Sequence, residues 1–138
     1  GKKYYILDYK TGADDKYLRI RPDVLAVEER STWREAIRSF QLPLYMLLYH
    51  SMTGKEMNAI LPSFLFISKK ELDSDIEIGI GNGDIMAIDV YRDVEPVIFE
   101  LVKEILDPAK PFLATNTIEK DCPDCAYRVI CGTQWAVK

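Results

Sequence analysis

The stretch that decides the fold is YYILDYKTG, residues 4–12 of the 138-residue chain. Its first four residues are aromatic or aliphatic, which predicts a strand that begins at Tyr4. Alternate side chains of a strand share a face, so we expect Asp8 and Lys10 to point the same way and Tyr9 to point the other way. The turn-forming pair Thr11-Gly12 should then leave the carboxylate and the ammonium at the rim of a sheet.

A carboxylate beside an ammonium at the end of an apolar strand can support phosphoryl chemistry. The Asp8 carboxylate can hold a divalent cation, and Lys10 can orient a water or stabilise negative charge on phosphorus. The backbone carbonyl of Tyr9 is a hard oxygen that suits Mg²⁺ or Mn²⁺. An ordinary ion pair at a sheet edge is the alternative interpretation of the same two side chains.

The rest of the chain predicts a small α/β domain. With 48% hydrophobic and 29% charged residues, the 138-residue chain has the composition of one folded domain, which we place at residues 1–138. We predict a small mixed central sheet flanked by helices, followed by a loop-rich, cysteine-containing tail at residues 110–138. The first predicted elements are a loop or short strand at 16–23 and a helix capped by Ser31 that runs to about Met52. They are followed by a strand at 63–68, a hairpin of strands 76–80 and 85–91 around Asn82-Gly83, and a helix at 94–106. Pro43 should either kink the first helix or mark a restart near Phe40.

Charge and cysteine content limit the partners. Eighteen basic and 22 acidic residues give a net charge of -4, so any contact with nucleic acid must be local. No apolar run approaches the roughly 20 residues of a membrane span, so we expect no membrane contact. Three cysteines near one end do not form a secreted disulfide pattern, which favours a cytoplasmic protein.

A polar stripe is predicted on the first helix. Gln41 and Tyr45 are four residues apart and should lie on one face. Arg34 and Arg38 fall on nearly the same line if the helix is continuous. Guanidinium, amide and phenol groups together suit phosphates and sugars, although a solvated helix edge would look the same.

The cysteines follow the pattern Cys122-x2-Cys125-x5-Cys131. Two thiolates two residues apart can reach one metal ion. Three thiolates are one short of a four-cysteine site, and chance clustering of free thiols is the alternative.

Taken in order, these motifs resemble the PD-(D/E)XK nuclease superfamily, specifically its RecB/AddB-type branch of helicase–nucleases and exonucleases. The resemblance covers roughly residues 4–53 and 121–132. It implies a restriction-endonuclease-like core and a magnesium-dependent DNA nuclease. By this resemblance, Asp8 corresponds to the second metal-binding acid and Lys10 to the catalytic lysine. Gln41 and Tyr45 correspond to a Q-x3-Y motif that lies beside the DNA strand. The three cysteines match the last three ligands of an iron–sulfur cluster.

The chain also departs from that pattern. The family places a further metal-binding Asp and the first cluster cysteine upstream of the strand with which this chain begins. We therefore expect a longer parent protein that acts on DNA, with a helicase domain or subunit as its candidate partner. We expect this fragment neither to cleave DNA alone nor to complete an iron–sulfur cluster. A non-catalytic DNA- or partner-binding lobe and a zinc-binding interaction module are the competing interpretations.

Overall fold

The computed structural model describes residues 1–12, 18–67, 76–80, 85–111, 113 and 115–135. The elements in chain order are β1 (Tyr4–Lys10), α1 (Arg30–Ala36), α2 (Gln41–Thr53), a 3-10 turn (Met57–Ala59), β2 (Ile60–Phe66), β3 (Glu77–Gly79), α3 (Ala87–Leu106) and α4 (Ile118–Asp121).

The three strands form one mixed sheet in the order β1-β2-β3. β1 runs parallel to β2, with Tyr4 opposite Ile60 and Lys10 opposite Phe66. β3 pairs antiparallel with β2. A parallel pair needs a crossover connection, and here α1 and α2 lie in that connection. The sheet with its helices confirms the predicted α/β class and is consistent with a restriction-endonuclease-like core.

The hydrophobic core lies between one face of the sheet and the helices. In β1 the even-numbered residues are half-buried and the odd-numbered residues are exposed, as a period of two requires. β2 is buried along most of its length, as expected for a strand with a neighbour on each side. The core residues are Ile20, Ala36, Ile37, Leu42, Met46, Ile60, Phe64, Phe66, Ile78, Ile80, Val90, Tyr91, Val94, Val97 and Ile98.

The predicted single helix is two helices. α1 ends at Ala36, α2 begins at Gln41, and Pro43 lies in the first turn of α2, where its missing N–H costs no hydrogen bond. This agrees with a restart near Phe40 and contradicts one continuous helix. The predicted cap is also wrong, since α1 begins at Arg30, and Ser31 donates its hydroxyl to the Glu29 carboxylate.

The predicted hairpin is wrong in its second half. Residues 87–91 are the first residues of α3, which continues through Pro96 to Leu106. The buried residues Val90, Tyr91, Val94, Val97 and Ile98 repeat with helical spacing, so the helix buries one face from its first turns onward. The predicted turn at 82–83, residues 16 and 17 of the predicted loop, and the last residue of the predicted strand 63–68 lie outside the described residues.

The chain forms two compact units, residues 1–103 and 104–138. The first unit contains the sheet and α1, α2 and most of α3. The second contains the end of α3, α4 and the cysteines, and it begins six residues before the predicted tail. Among the described helices, none is both long enough and apolar enough to cross a membrane.

Candidate active site

Asp8 and Lys10 lie side by side at the carboxyl end of β1. The Lys10 Nζ is 3.2 Å from Oδ1 and 3.3 Å from Oδ2 of Asp8. The Lys10 side chain is 21% exposed and the Asp8 side chain is 17% exposed. The two groups therefore face the same side, as the strand period predicts, and both stay within reach of a ligand.

The first two turns of α2 supply the other two polar groups. The Lys10 ammonium donates to Oε1 of Gln41 at 2.8 Å, and the Tyr45 hydroxyl donates to Oδ2 of Asp8 at 2.7 Å. Lys10 and Gln41 are separated by 31 positions in the sequence, and Asp8 and Tyr45 by 37. Asp8, Lys10, Gln41 and Tyr45 form one hydrogen-bonded group, which we call the strand-end cluster.

The position of α2 is fixed from both ends. The Gln41 N–H donates to the Ser39 hydroxyl at 3.3 Å. At the other end Gly54 adopts a φ of 64°, a left-handed conformation that suits glycine, and its N–H donates to the His50 carbonyl at 2.8 Å. Between these ends the buried Leu42, Pro43 and Met46 pack toward the sheet, and this directs Gln41 and Tyr45 to the end of β1.

The strand-end cluster has defined protonation and packing. The hydrogen bond to Asp8, together with partial burial and the negative charge of Asp8, raises the pKa of Tyr45 above its usual value of 10.0. The phenol is therefore a neutral donor at physiological pH. The Lys10 ammonium also lies 4.7 Å from the centroid of the Phe64 ring, a cation–π contact with a fully buried side chain.

The Tyr9 carbonyl points away from β2. The Lys10 carbonyl accepts a hydrogen bond from the Ile67 N–H at 3.0 Å on the β2 side. Successive carbonyls of a strand point to opposite sides, so the Tyr9 carbonyl faces the outer edge of β1, which no described strand occupies. One carboxylate and one carbonyl are hard oxygen donors that suit Mg²⁺, which keeps several waters and often takes phosphate oxygens as further ligands.

The two predicted arginines leave the line of Gln41 and Tyr45, because the helix breaks between α1 and α2. Arg34 is exposed on α1. Arg38 is exposed in the connection, where its backbone N–H donates to the Arg19 carbonyl at 3.2 Å. The predicted continuous stripe is therefore wrong in geometry, while a contact of either arginine with DNA stays a prediction.

Sequence reasoning missed a pocket beside α1. Its volume is about 300 Å³, and its lining residues are Arg30, Trp33, Arg34, Ile37, Phe40 and Leu101. The available signal was the spacing of Arg30, Trp33 and Arg34, which are three and four residues apart and therefore share one helix face.

The family model for the PD-(D/E)XK nuclease superfamily matches residues 1–132. The chain belongs to this superfamily. Comparison with curated proteins and with solved structures gives no significant match. The match extends over the β1–α2 region and the cysteines. Membership of this superfamily indicates a nuclease, with DNA as its substrate.

The cysteines of this superfamily member do not converge in the structure. Cys122 is buried, Cys125 is half-buried and Cys131 is exposed, and all three are free thiols. Within the described residues, no three His, Cys, Asp or Glu side chains form a group that could hold a metal ion. As placed here, the three thiols do not fit an iron–sulfur cluster.

Proposed function

We propose that this domain hydrolyses phosphodiester bonds of DNA with Mg²⁺ or Mn²⁺, as the nuclease domain of a RecB/AddB-type exonuclease or helicase–nuclease. The observation that carries the proposal is the hydrogen-bonded pair of Asp8 and Lys10 at the end of β1, held from α2 by Gln41 and Tyr45. An ordinary surface ion pair is stable without further partners, whereas this pair is hydrogen-bonded by two side chains of α2, a helix more than 30 positions away in the sequence.

Asp8 and the Tyr9 carbonyl would hold the metal ion. When bound, the ion supplies Lewis-acid stabilisation of the negative charge on the phosphate. The Tyr45 hydroxyl and the Lys10 ammonium both contact the Asp8 carboxylate, which fixes its orientation toward the strand end. A fixed carboxylate needs less reorganisation when the substrate binds.

Lys10 would position the attacking water or stabilise the charge that develops on phosphorus. Its ammonium carries three N–H donors, and in this structure it contacts Asp8 and Gln41. Those contacts leave one donor for a water or a phosphate oxygen.

Gln41 would connect the cluster to the DNA strand. Its Oε1 accepts from Lys10, which leaves the two N–H donors of the same amide for a phosphate or sugar oxygen. Tyr45 lies on the same face and would line the path of the strand. Arg34 and Arg38 would add phosphate contacts, a local source of positive charge in a chain with a net charge of -4.

Other parts of the proposal rest on sequence alone. They are an iron–sulfur cluster bound by Cys122, Cys125 and Cys131 in the full-length protein, an attached helicase, a role in DNA repair, and a cytoplasmic location. Iron, sulfide and zinc analysis of full-length protein purified without oxygen tests the cluster. One zinc per chain would replace the cluster by a zinc site and leave the nuclease proposal intact.

The nuclease proposal is tested by Lys10→Ala in the full-length protein. We expect at least a 100-fold loss of cleavage of end-labelled DNA in Mg²⁺, since single groups that stabilise transition-state charge are worth that much, with DNA affinity within about threefold of wild type. The matched control is Lys103→Ala, which removes an exposed ammonium that contacts Glu100 on α3.

Three results would contradict the proposal. Full cleavage by Lys10→Ala would remove Lys10 from the mechanism. An equal loss in Lys103→Ala would reduce the effect to net charge. DNA binding by the wild type without cleavage in Mg²⁺ or Mn²⁺ would favour a non-catalytic lobe.

A further inference from the structure

The pocket on α1 has the composition of a nucleotide site. Its six lining residues enclose about 300 Å³, at the lower end of the range for small-ligand sites. The described lining contains two guanidinium groups, two aromatic rings and two aliphatic side chains, and none of these residues is acidic. An anionic ligand with a flat apolar part fits this composition.

The flat part of the ligand would meet a platform that is already fixed. The Trp33 indole N–H donates to the Val27 carbonyl at 3.0 Å, and this bond holds the ring in place. The Arg30 guanidinium lies 5.3 Å from the centroid of the same ring. This guanidinium offers a further planar, charged surface beside the ring, and nucleobases stack on aromatic rings and guanidinium planes.

The pocket adjoins the strand-end cluster through the backbone. Phe40 lines the pocket and is the direct neighbour of Gln41, the acceptor for Lys10. The connection from α1 to α2, which carries Phe40, is anchored at its start, because the Arg21 N–H donates to the Ala36 carbonyl at 2.7 Å and Ile37 bridges Ile20. The pocket therefore has a fixed position relative to Gln41.

We propose that this pocket binds one unpaired base of the DNA strand, next to the nucleotide held at the strand-end cluster, with Arg30 and Arg34 on the flanking phosphates. The inference rests on the proposed function, since it assumes that DNA is the ligand. The base must be unpaired, because the faces of a base in a duplex are covered by its neighbours and become accessible only after unstacking.

The test uses the fluorescence of Trp33. The chain has two tryptophans, Trp33 and Trp135, so the variant Trp135→Phe reports on Trp33 alone. A short oligodeoxythymidylate should quench this fluorescence. An oligomer of the same length and charge that lacks bases should not quench it and should bind about tenfold more weakly, as expected for the loss of one stacked base.

Charge variants separate the pocket from general electrostatics. In the same background, Arg30→Gln and Arg34→Gln should each weaken oligodeoxythymidylate binding about fivefold. Arg92→Gln, the matched removal of an exposed arginine on α3, should change it by less than twofold. Both pocket arginines are exposed, so the fold should tolerate these changes.

The possible results test the pocket separately from the nuclease proposal. Equal affinity and equal quenching for the two oligomers would overturn the subsite, and so would quenching by duplex DNA of the same length. Asp8→Asn should abolish cleavage and leave the quenching unchanged. Quenching, together with a full-length wild-type protein that cleaves nothing in Mg²⁺ or Mn²⁺, would refute the nuclease proposal alone. Cleavage by that protein without quenching would refute the subsite alone.

Discussion

The strand-end cluster and the stretch that carries Cys122, Cys125 and Cys131, which we call the cysteine segment, are both sets of polar groups with ligand chemistry, but they are built differently. In the cluster, Asp8 meets Tyr45 across 37 positions of sequence, and Lys10 meets Gln41 across 31. In the cysteine segment the contacts are local: the Cys125 N–H donates to the Cys122 carbonyl, and the Cys131 N–H to the Tyr127 carbonyl.

The difference shows what arranges each set. Long-range contacts in the cluster are imposed by the sheet and α2, whose packing around buried side chains fixes the polar groups before any ligand binds. Local turns position backbone atoms only, and the three thiols of the cysteine segment do not converge on one point. The first site is preorganised by a core, whereas the second would depend on a metal ion to bring its ligands together.

The largest expected effect comes from removing the support of the cluster. Phe64 is fully buried and its ring lies under the Lys10 ammonium. Phe64→Ala should lower the free energy of unfolding by about 4 kcal/mol, because it removes buried apolar surface and leaves a cavity. Urea denaturation followed by circular dichroism measures this change.

The control for that variant lies in the cysteine segment. Ile130 is 86% exposed, so Ile130→Ala should change the free energy of unfolding by less than about 0.5 kcal/mol. Equal losses for the two variants would contradict the distinction between a core-supported site and a locally folded one.

The second effect isolates a single contact across the cluster. Tyr45→Phe removes the hydrogen bond to the Asp8 carboxylate, and bonds to charged groups contribute about 2 kcal/mol to stability when partly buried. Tyr49→Phe, one turn later on α2, is the matched control, since it removes the hydroxyl of another half-buried tyrosine on the same helix, one whose ring contacts Tyr4. Thermal unfolding of both variants compares them, and a control loss as large as that of Tyr45→Phe would assign the effect to packing.

Much of this site follows from sequence periodicity. The period of two along β1 predicts that Asp8 and Lys10 share a face, and the spacing of four predicts that Gln41 and Tyr45 do. Which strand residue meets which helix residue does not follow from either period, because it depends on how α2 docks on the sheet.

The errors have physical causes as well. The segment 85–91 alternates well enough for a strand, but Val90 and Tyr91 continue the buried helical spacing of Val94, Val97 and Ile98. The segment therefore follows the helical period of 3.6 residues and not the strand period of two, because the helix packs its buried face against the core. The arginine stripe failed for a related reason, since the chain between α1 and α2 pairs with Ile20 instead of continuing as helix.

The third prediction concerns Tyr91, a buried side chain whose hydrogen-bond partner is close in sequence. Tyr91 donates to Glu95, only four residues away, at 2.6 Å, and its side chain is buried. Burial, with help from the Glu95 hydrogen bond and charge, raises the pKa of Tyr91 well above its usual value of 10.0. The folded protein therefore keeps the Tyr91 proton to a higher pH than the unfolded chain does.

The sign of the pH effect follows from that difference. The stabilisation is fully present below pH 10 and is lost as the pH rises from 10 through the pKa of the folded state. Tyr91→Phe should remove about 1 kcal/mol of the stability loss between pH 9 and pH 11, measured by urea denaturation at each pH. Identical pH profiles for the variant and the wild type would show that Tyr91 titrates alike in both states.

The smallest effect is expected in the cysteine segment. Cys131 is an exposed, free cysteine, so Cys131→Ser should change the free energy of unfolding of metal-free protein by less than about 0.5 kcal/mol. The same variant should lose bound iron or zinc if the segment holds an ion in the full-length protein, because a hydroxyl is a far poorer ligand than a thiolate. The metal content of the full-length protein and the free energy of unfolding of the metal-free protein would thus respond independently. A large loss of stability in metal-free protein would show that the segment is organised by its own packing, as the strand-end cluster is, and would remove the contrast between the two sites.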